Sequence, residues 1–180
     1  EYYPTVITSD LHHTQWVDMA VNAEKMPFID DELDGIILLH TLHHIPNPKA
    51  FISESSRCLR KGGYIVMIEP FFSVWGDFVY RHLHHEPVFD SLEWRLPKDK
   101  NGRLSNANGK MPFNIFIRDK KKFEKLYPEF ELTNIDLHNC FSYLLSGGLS
   151  YKSLIPQKLG IVELMIEKAI KCAYPYLATS

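Results

Sequence analysis

Four apolar runs of the sequence end in polar or ionisable residues, and these are the side chains that could do chemistry. In chain order they are Asp10, Asn22, the histidines of the stretch 40–44, and Glu69. A carboxylate such as Asp10 can accept hydrogen bonds from both hydroxyls of a ribose. A histidine can serve as a general base, because its unperturbed pKa is near neutrality. The pattern therefore favours a site built from successive strand ends.

The elements that would position these residues are clearest from Asp34 to Pro70, where the pattern predicts a strand, a helix and a second strand. The apolar runs Ile36–Leu39 and Tyr64–Ile68 suit parallel strands that are covered on both faces. Parallel strands joined by a crossover helix form a right-handed unit, and ligands of such sheets bind outside the carboxyl ends of the strands. The loop 40–44 and Glu69 are therefore expected beside any active site.

The connecting helix has start and stop signals of its own. Asn47 is expected to cap it, and Pro48 is expected at its first position, where the missing N–H of proline does no harm. Gly62-Gly63 is expected to end it.

Histidine-rich and acidic stretches raise the alternative of a metal site. The residues in question are His82, His84, His85 and Glu86, which His12, His13, His43 and His44 could complete. Zinc sites prefer regularly spaced ligands from two separated segments, and we expect no metal here. The acidic run 30–32 offers too few ligands for a carboxylate metal loop and is expected to be a solvated turn.

Composition narrows the protein class. The 180 residues, 45% of them hydrophobic, suffice for one domain with a sizeable core. A formal net charge of -2 gives no electrostatic reason to expect nucleic acid as a partner. Cys58, Cys140 and Cys172 are scattered, which favours a reducing, cytoplasmic setting. No apolar run is long enough for a transmembrane segment, and the N-terminus does not read as a signal peptide.

An ordered set of short motifs runs from residue 22 to residue 70. It comprises an amide before alanine (Asn22-Ala23), Met26-Pro27-Phe28, an aspartate-led strand, a His-rich loop, Arg57-x-Leu59 and Lys61-Gly62-Gly63. Each motif alone is weak, but the set resembles the central block of the class I S-adenosylmethionine-dependent methyltransferases of the small-molecule type. Weaker matches extend the resemblance to roughly residue 5.

The resemblance implies an α/β fold, with a Rossmann-like, mostly parallel sheet and flanking helices, and S-adenosylmethionine as the cofactor. The implied cofactor-binding residues are Asp10, Leu11, Asn22, Ala23, Leu39 and His40. Asp10 would bind the ribose, Asn22 and Ala23 the adenine, and Leu39 and His40 the methionine end. The alternatives are structural: Asp10 could cap a turn, and Asn22 could form an Asx turn.

His43 and His44 are the candidates for proton transfer near the methyl group. Their rings could instead hydrogen-bond the loop and hold its shape. A methyl transfer from a sulfonium needs little beyond alignment of donor and acceptor, so proximity and orientation could suffice.

The glycine-rich loop of the family, of the G-x-G-x-G kind, has no counterpart in this sequence. It would precede Glu1, so the first strand and the glycine loop are expected to be missing, either through truncation or through loss of cofactor binding. No clear last strand follows Pro175, so the far end is expected to be clipped as well.

The region after Glu69 departs from a plain strand–helix alternation. We expect one methyltransferase-like domain over residues 1–180, with residues 71–112 inserted as a cap or lid. Glu69, Arg81, His82 and His85 are the residues expected to contact the acceptor. Beyond the lid, the pattern predicts a helix over residues 119–127, a strand over 130–137 and an amphipathic helix over 159–173.

Three functions remain open at this point. The first is methyl transfer to a small-molecule or glycan acceptor. The second is a catalytically inactive methyltransferase-like module that a partner or a second subunit completes, since a missing first strand would expose a sheet edge; a homodimer is one such assembly. The third is a His-rich metal hydrolase.

Overall fold

The computed structural model describes residues 6–91, 93–97, 107–141 and 160–180. Its strands are β1 (Ser9–Asp10), β2 (Met19–Ala20), β3 (Leu33–Leu39) and β4 (Leu59–Ile68). Its α-helices are α1 (Pro48–Cys58), α2 (Val74–His82), α3 (Met111–Phe113), α4 (Lys120–Leu126), α5 (Gly160–Ala169) and α6 (Tyr174–Leu177). Short 3-10 helices span Leu42–His44 and Lys171–Ala173, and a π-helical turn spans Asn114–Arg118. The fold is α/β.

The strands pair in parallel, in two two-stranded sheets within the described residues. β1 pairs with β2, and β3 pairs with β4. In the second sheet Ile36, Ile37, Leu38 and Leu39 lie opposite Ile65, Val66, Met67 and Ile68. The predicted strand–helix–strand unit is therefore confirmed, and the parallel pairing brings the ends of β3 and β4 to the same edge.

The crossover helix α1 begins where predicted and ends earlier. Pro48 occupies the first turn and Asn47 the cap position, but the Asn47 side chain makes no capping hydrogen bond. The backbone N–H of Asn47 donates to Glu24 Oε1 at 2.7 Å. The helix ends at Cys58 because Leu59 is already extended and opens β4. The expectation that Gly62-Gly63 stops the helix is thus wrong. Gly62, with a φ of 81°, lies inside β4, where the register with β3 shifts.

The main core lies between one face of the β3–β4 sheet and helix α1. Its buried side chains are Met26, Leu38, Leu42, Ile45, Phe51, Ile52, Cys58, Trp94, Leu96, Met111, Ile115, Phe123 and Tyr127. Cys140, Tyr174 and Ala178 form a second, smaller cluster near the C-terminus. Trp94 and Leu96 belong to the predicted lid, yet they are built into the main core, and the N–H of Leu96 donates to Pro46 O at 2.9 Å.

The other face of the β3–β4 sheet is apolar and exposed. Its side chains are Ile37, Leu39, Tyr64, Val66 and Ile68, each between 39% and 66% exposed. The prediction that these strands are covered on both faces is therefore wrong for the described structure. The side chains of a strand alternate between faces, and helix α1 and its neighbours cover only the face that carries Ile36 and Leu38.

The elements predicted between residues 119 and 173 are confirmed in part. Helix α4 confirms the helix predicted over 119–127. The strand predicted over 130–137 does not form, and no described strand lies beside this segment to pair with it. The chain that follows exchanges hydrogen bonds with the C-terminus, where His138 N donates to Ser180 O at 2.8 Å. The helix predicted over 159–173 is present as α5, followed by a 3-10 turn. Residues 98–106 and 142–159, which include most of the loops predicted over 98–110 and 141–156, lie outside the described residues.

The one-sided sheet predicts contrasting costs for two neighbouring leucines. Leu38→Ala should lower the free energy of unfolding by about 2 to 5 kcal/mol, because Leu38 is buried in the core. Leu39→Ala, on the exposed face, should cost less than about 1 kcal/mol. Urea denaturation of the two variants checks this, and equal costs would mean that the second face is covered in solution.

Candidate functional site

The carboxylate of Glu69, at the end of β4, organises the loop that follows β3. Glu69 Oε1 accepts hydrogen bonds from the backbone N–H groups of Thr41 and Leu42, at 2.8 and 2.7 Å. Glu69 Oε2 lies 2.6 Å from His43 Nδ1. The Glu69 side chain is only 7% exposed. Because its oxygens serve the loop, the arrangement gives Glu69 a positioning role, and its predicted contact with the acceptor stays a prediction.

His43 is buried between two carboxylates. Its Nδ1 faces Glu69, and its Nε2 lies 3.3 Å from Glu86 Oε2. Burial works against a charged ring, but the hydrogen bonds to Glu69 and Glu86 outweigh it and raise the pKa of His43 to about 9. A ring that keeps its proton at neutral pH cannot accept another, so this geometry favours support of the loop over proton transfer by His43.

Glu86 connects the segment after α2 to the same loop. Its Oε1 lies 3.3 Å from Nε2 of His44, which is half-exposed. Burial opposes the charge of Glu86, but the hydrogen bonds from His43 and His44 hold its pKa well below the usual range. His44 remains the more accessible of the two predicted catalytic histidines.

The β1–β2 edge carries the residues predicted to bind the nucleoside. Asp10 ends β1, and the N–H of Val21 donates to Asp10 O at 2.8 Å, so Asp10 and Asn22 lie on neighbouring strands at their carboxyl ends. Asp10 and Leu11 are exposed. Both side chains also make short-range turns: Asp10 Oδ1 accepts from His12 N, and Asn22 Oδ1 from Glu24 N, each at 3.0 Å. The predicted Asx turn at Asn22 is therefore present.

Leu39 and His40 stand at the end of β3. His40 has a φ of 50°, a left-handed conformation that is uncommon outside glycine, and its N–H donates to Ile68 O at 2.8 Å. This turn directs the chain from β3 into the loop that Glu69 holds. The side chains of both residues are exposed.

The other predicted acceptor residues lie on and just after α2. Arg81 pairs with Asp77 at 2.7 Å and with Asp90 at 3.3 Å. The ring of His82 lies 5.0 Å from that of Phe78, and the ring of His85 stacks on that of His84 at 4.6 Å. All three predicted residues are exposed, and their contact with an acceptor stays a prediction.

Sequence reasoning missed the role of Arg57, which holds the loop that follows the predicted adenine-binding residues Asn22 and Ala23. Arg57, on α1, donates to the carbonyl oxygens of Met26 and Phe28, and also binds Glu54 and Asp30. Glu54 Oε2 in turn accepts from Met26 N at 2.8 Å. The Arg57-x-Leu59 motif was the available signal, since an arginine in the last turn of a helix can reach the carbonyls of a chain running beside it.

Comparison with known proteins bears on the part of the chain that holds these strand ends. Residues 2–67 match the family model described as a methyltransferase domain. This part of the chain is thus similar to methyltransferase domains. The matched residues run from β1 almost to the end of β4, so the predicted cofactor residues fall within the methyltransferase match, while Glu69, Glu86 and α2 fall outside it.

A curated methyltransferase is also similar over most of the chain. It is a demethylmenaquinone methyltransferase of Staphylococcus saprophyticus, 25% identical over 151 residues, which cover 81% of this chain and 60% of that protein. The chain thus spans about 60% of the length of this relative. No solved structure matches. Within the described residues, no helix is long and apolar enough to cross a membrane.

The hydrogen bonds of Glu69 to the loop after β3 predict a stability effect. Glu69→Gln should lower the free energy of unfolding by about 1.5 to 3 kcal/mol, because a buried carboxylate loses its charge-assisted bonds to Thr41, Leu42 and His43. The control Glu131→Gln makes the same chemical change at an exposed position and should cost no more than about 0.5 kcal/mol. Denaturant titration of both variants measures the difference, and matching values would remove Glu69 from this role.

Proposed function

We propose that the protein transfers a methyl group from S-adenosylmethionine to a small-molecule or glycan acceptor. The observation that carries this proposal is the position of Asp10, Asn22, Leu39 and His40 at the carboxyl ends of parallel strands, within the region that matches the methyltransferase family. In open sheets of this kind, ligands bind at that edge. A Rossmann-like arrangement of the two sheets, with a first strand supplied from outside the described residues, is part of the proposal.

The residues at the β1–β2 edge fit the nucleoside half of the cofactor. Asp10 carries an exposed carboxyl group, whose two oxygens can accept two hydroxyl hydrogen bonds. Asn22 and Ala23 follow β2, and the amide of Asn22 still has its N–H donors for an adenine ring nitrogen. When bound, S-adenosylmethionine supplies a methyl group on a sulfonium centre, and the chain has to align it with the acceptor.

Aromatic side chains beyond the end of β4 support an acceptor with an apolar ring. Phe78 is exposed and stacks on Trp75 at 5.6 Å, while Phe72 and Tyr80, stacked at 5.1 Å, are buried. The relative of similar sequence acts, by its name, on demethylmenaquinone. A glycan acceptor would instead rely on polar groups such as Arg81, His82 and His85. Methyl transfer assays with a demethylated quinol and with a sugar acceptor separate the two classes.

The exposed apolar face of β3–β4 favours a second candidate function, an inactive methyltransferase-like module that another chain completes. A contiguous patch of Ile37, Leu39, Tyr64, Val66 and Ile68 is unusual on a monomer surface. Light scattering after size-exclusion chromatography tests this candidate. A homodimer or larger assembly without cofactor binding supports it, and a clean monomer that binds cofactor rejects it.

The nucleoside site predicts the effect of one substitution on cofactor affinity. Asp10→Asn should weaken binding of S-adenosylhomocysteine about 10- to 100-fold, because hydrogen bonds from two hydroxyls to a carboxylate are lost. Asp31→Asn makes the same change at another exposed aspartate, outside the strand edge, and should leave the affinity unchanged. Isothermal titration calorimetry on the full-length protein measures both.

Two results would count against the proposed function. Absence of S-adenosylhomocysteine binding by the full-length protein would reject the cofactor itself. Equal affinity of wild type and Asp10→Asn would keep the cofactor but remove Asp10 from its site.

A further inference from the structure

Two imidazoles and a carboxylate meet where the segment after α2 returns to the loop after β3. Within the described residues, His43, His44 and Glu86 form a group in which one ligand atom from each side chain lies within 4.8 Å of the others. His43 is 3% exposed, Glu86 is 19% exposed and His44 is 37% exposed. The group therefore extends from the interior to the surface, which gives an ion a way in.

The contacts of Glu86 with the two imidazoles are longer than the contact between His43 and Glu69. On its Nδ1 side, His43 meets Glu69 at 2.6 Å, a short charge-assisted contact. On its Nε2 side, the distance to Glu86 Oε2 is 3.3 Å, and His44 Nε2 is likewise 3.3 Å from Glu86 Oε1. Charge-assisted N–H···O bonds usually measure about 2.7 to 2.9 Å. Each imidazole thus faces a different oxygen of Glu86, in a hydrogen bond at the long end of the usual range.

A separation of 3.3 Å fits the ligands of a tetrahedral metal ion. Zinc binds imidazole nitrogen and carboxylate oxygen at about 2.0 to 2.2 Å, and tetrahedral angles then place neighbouring ligand atoms about 3.4 Å apart. Catalytic-type zinc sites combine three protein ligands, including two histidines and a glutamate, with water in the fourth position.

Glu69 supplies the support that a metal-binding histidine normally has. A histidine ligand usually donates its other ring N–H to a carboxylate, which fixes the tautomer and the orientation of the ring. Glu69 accepts that bond from Nδ1 of His43, so Nε2 is the atom directed at Glu86, and an ion that binds there would displace the Nε2 proton into solvent. The backbone of Thr41 and Leu42 holds Glu69 in place in turn.

We propose that His43, His44 and Glu86 bind one divalent metal ion of the zinc class, with Glu69 orienting His43 and with water as a fourth ligand. The ion would join the loop after β3 to the segment after α2, beside the proposed methyl-transfer site. His84 Nδ1 lies 3.9 Å from Glu86 Oε2 and accepts a hydrogen bond from the N–H of Glu86, so it holds the ligand-bearing turn rather than the ion. The proposal does not depend on cofactor binding.

The test is a metal titration of the protein, purified without a histidine tag and stripped with chelator. Co²⁺ is the probe, because tetrahedral coordination gives it visible absorption bands, and Zn²⁺ should then displace it. Wild type should bind one ion per chain. His44→Ala and Glu86→Gln should weaken binding at least about tenfold, and Glu69→Gln about 10- to 100-fold.

The chain offers a matched control. His12 and His13 are a second pair of adjacent histidines, exposed and distant in sequence from Glu86. The double variant His12→Ala/His13→Ala removes two imidazoles and should leave the Co²⁺ affinity and spectrum unchanged. Far-UV circular dichroism of each variant checks its fold, and His44→Ala serves if Glu86→Gln fails to fold, because His44 is half-exposed.

Three outcomes would overturn the proposal. They are no Co²⁺ or Zn²⁺ binding by folded wild type, unchanged affinity in folded His44→Ala, and loss of binding in His12→Ala/His13→Ala. In any of them His43, His44 and Glu86 form a purely ionic cluster. Because the readout is metal binding, failure here leaves the result with S-adenosylhomocysteine untouched.

Discussion

The carboxylate of Glu69 is the interaction on which the site depends. A loop that leaves a parallel strand has backbone N–H groups with no strand to pair with, and burying them unpaired would cost about 1 to 3 kcal/mol each. Glu69, at the tip of the neighbouring strand, accepts two of them and also binds the ring of His43. The shape of the loop after β3 therefore depends on the register of β3 with β4, because that register puts Glu69 opposite the loop.

The loop after β3 is also where segments distant in sequence come into contact. His43 O accepts from Asn108 N at 2.9 Å, and Leu96 N donates to Pro46 O, so the chain beyond α2 is bonded to the short 3-10 helix and to the residues that follow it. Trp94, fully buried, donates from Nε1 to Asp119 Oδ2 at 2.9 Å. The Arg118 guanidinium and the Trp94 N–H outweigh partial burial and lower the pKa of Asp119 to about 2. Part of the region predicted as a lid is thus a structural component of the core.

Much of this could be predicted from residue patterns, and the failures have identifiable causes. The runs Ile36–Leu39 and Tyr64–Ile68 predicted a parallel pair correctly, because β-branched and apolar runs of that length suit strands. They could not reveal that one face is open, since apolar composition is the same whether or not a partner covers it. Gly62 was misread as a helix stop because glycine serves both helix ends and strand irregularities.

The site residues, like the fold, were predictable only where a local sequence pattern fixes their position. Strand-end positions of Asp10, Asn22, His40 and Glu69 followed from local patterns, because each is fixed by the run before it. The contact of Glu86 with His43 and His44 could not be predicted from local patterns. It joins segments that are about forty residues apart, through the packing of α2 and the chain beyond it. The spacing of these histidines therefore looked irregular for a metal site, although the folded chain brings them together.

Residue-resolved amide hydrogen exchange tests the central claim about Glu69 most directly. If its carboxylate holds the loop, the Thr41 and Leu42 amides should exchange at least about a hundredfold more slowly than in an unstructured peptide, as the β3 amides do. The account is contradicted if these two amides exchange at the rate of an open loop while β3 remains protected.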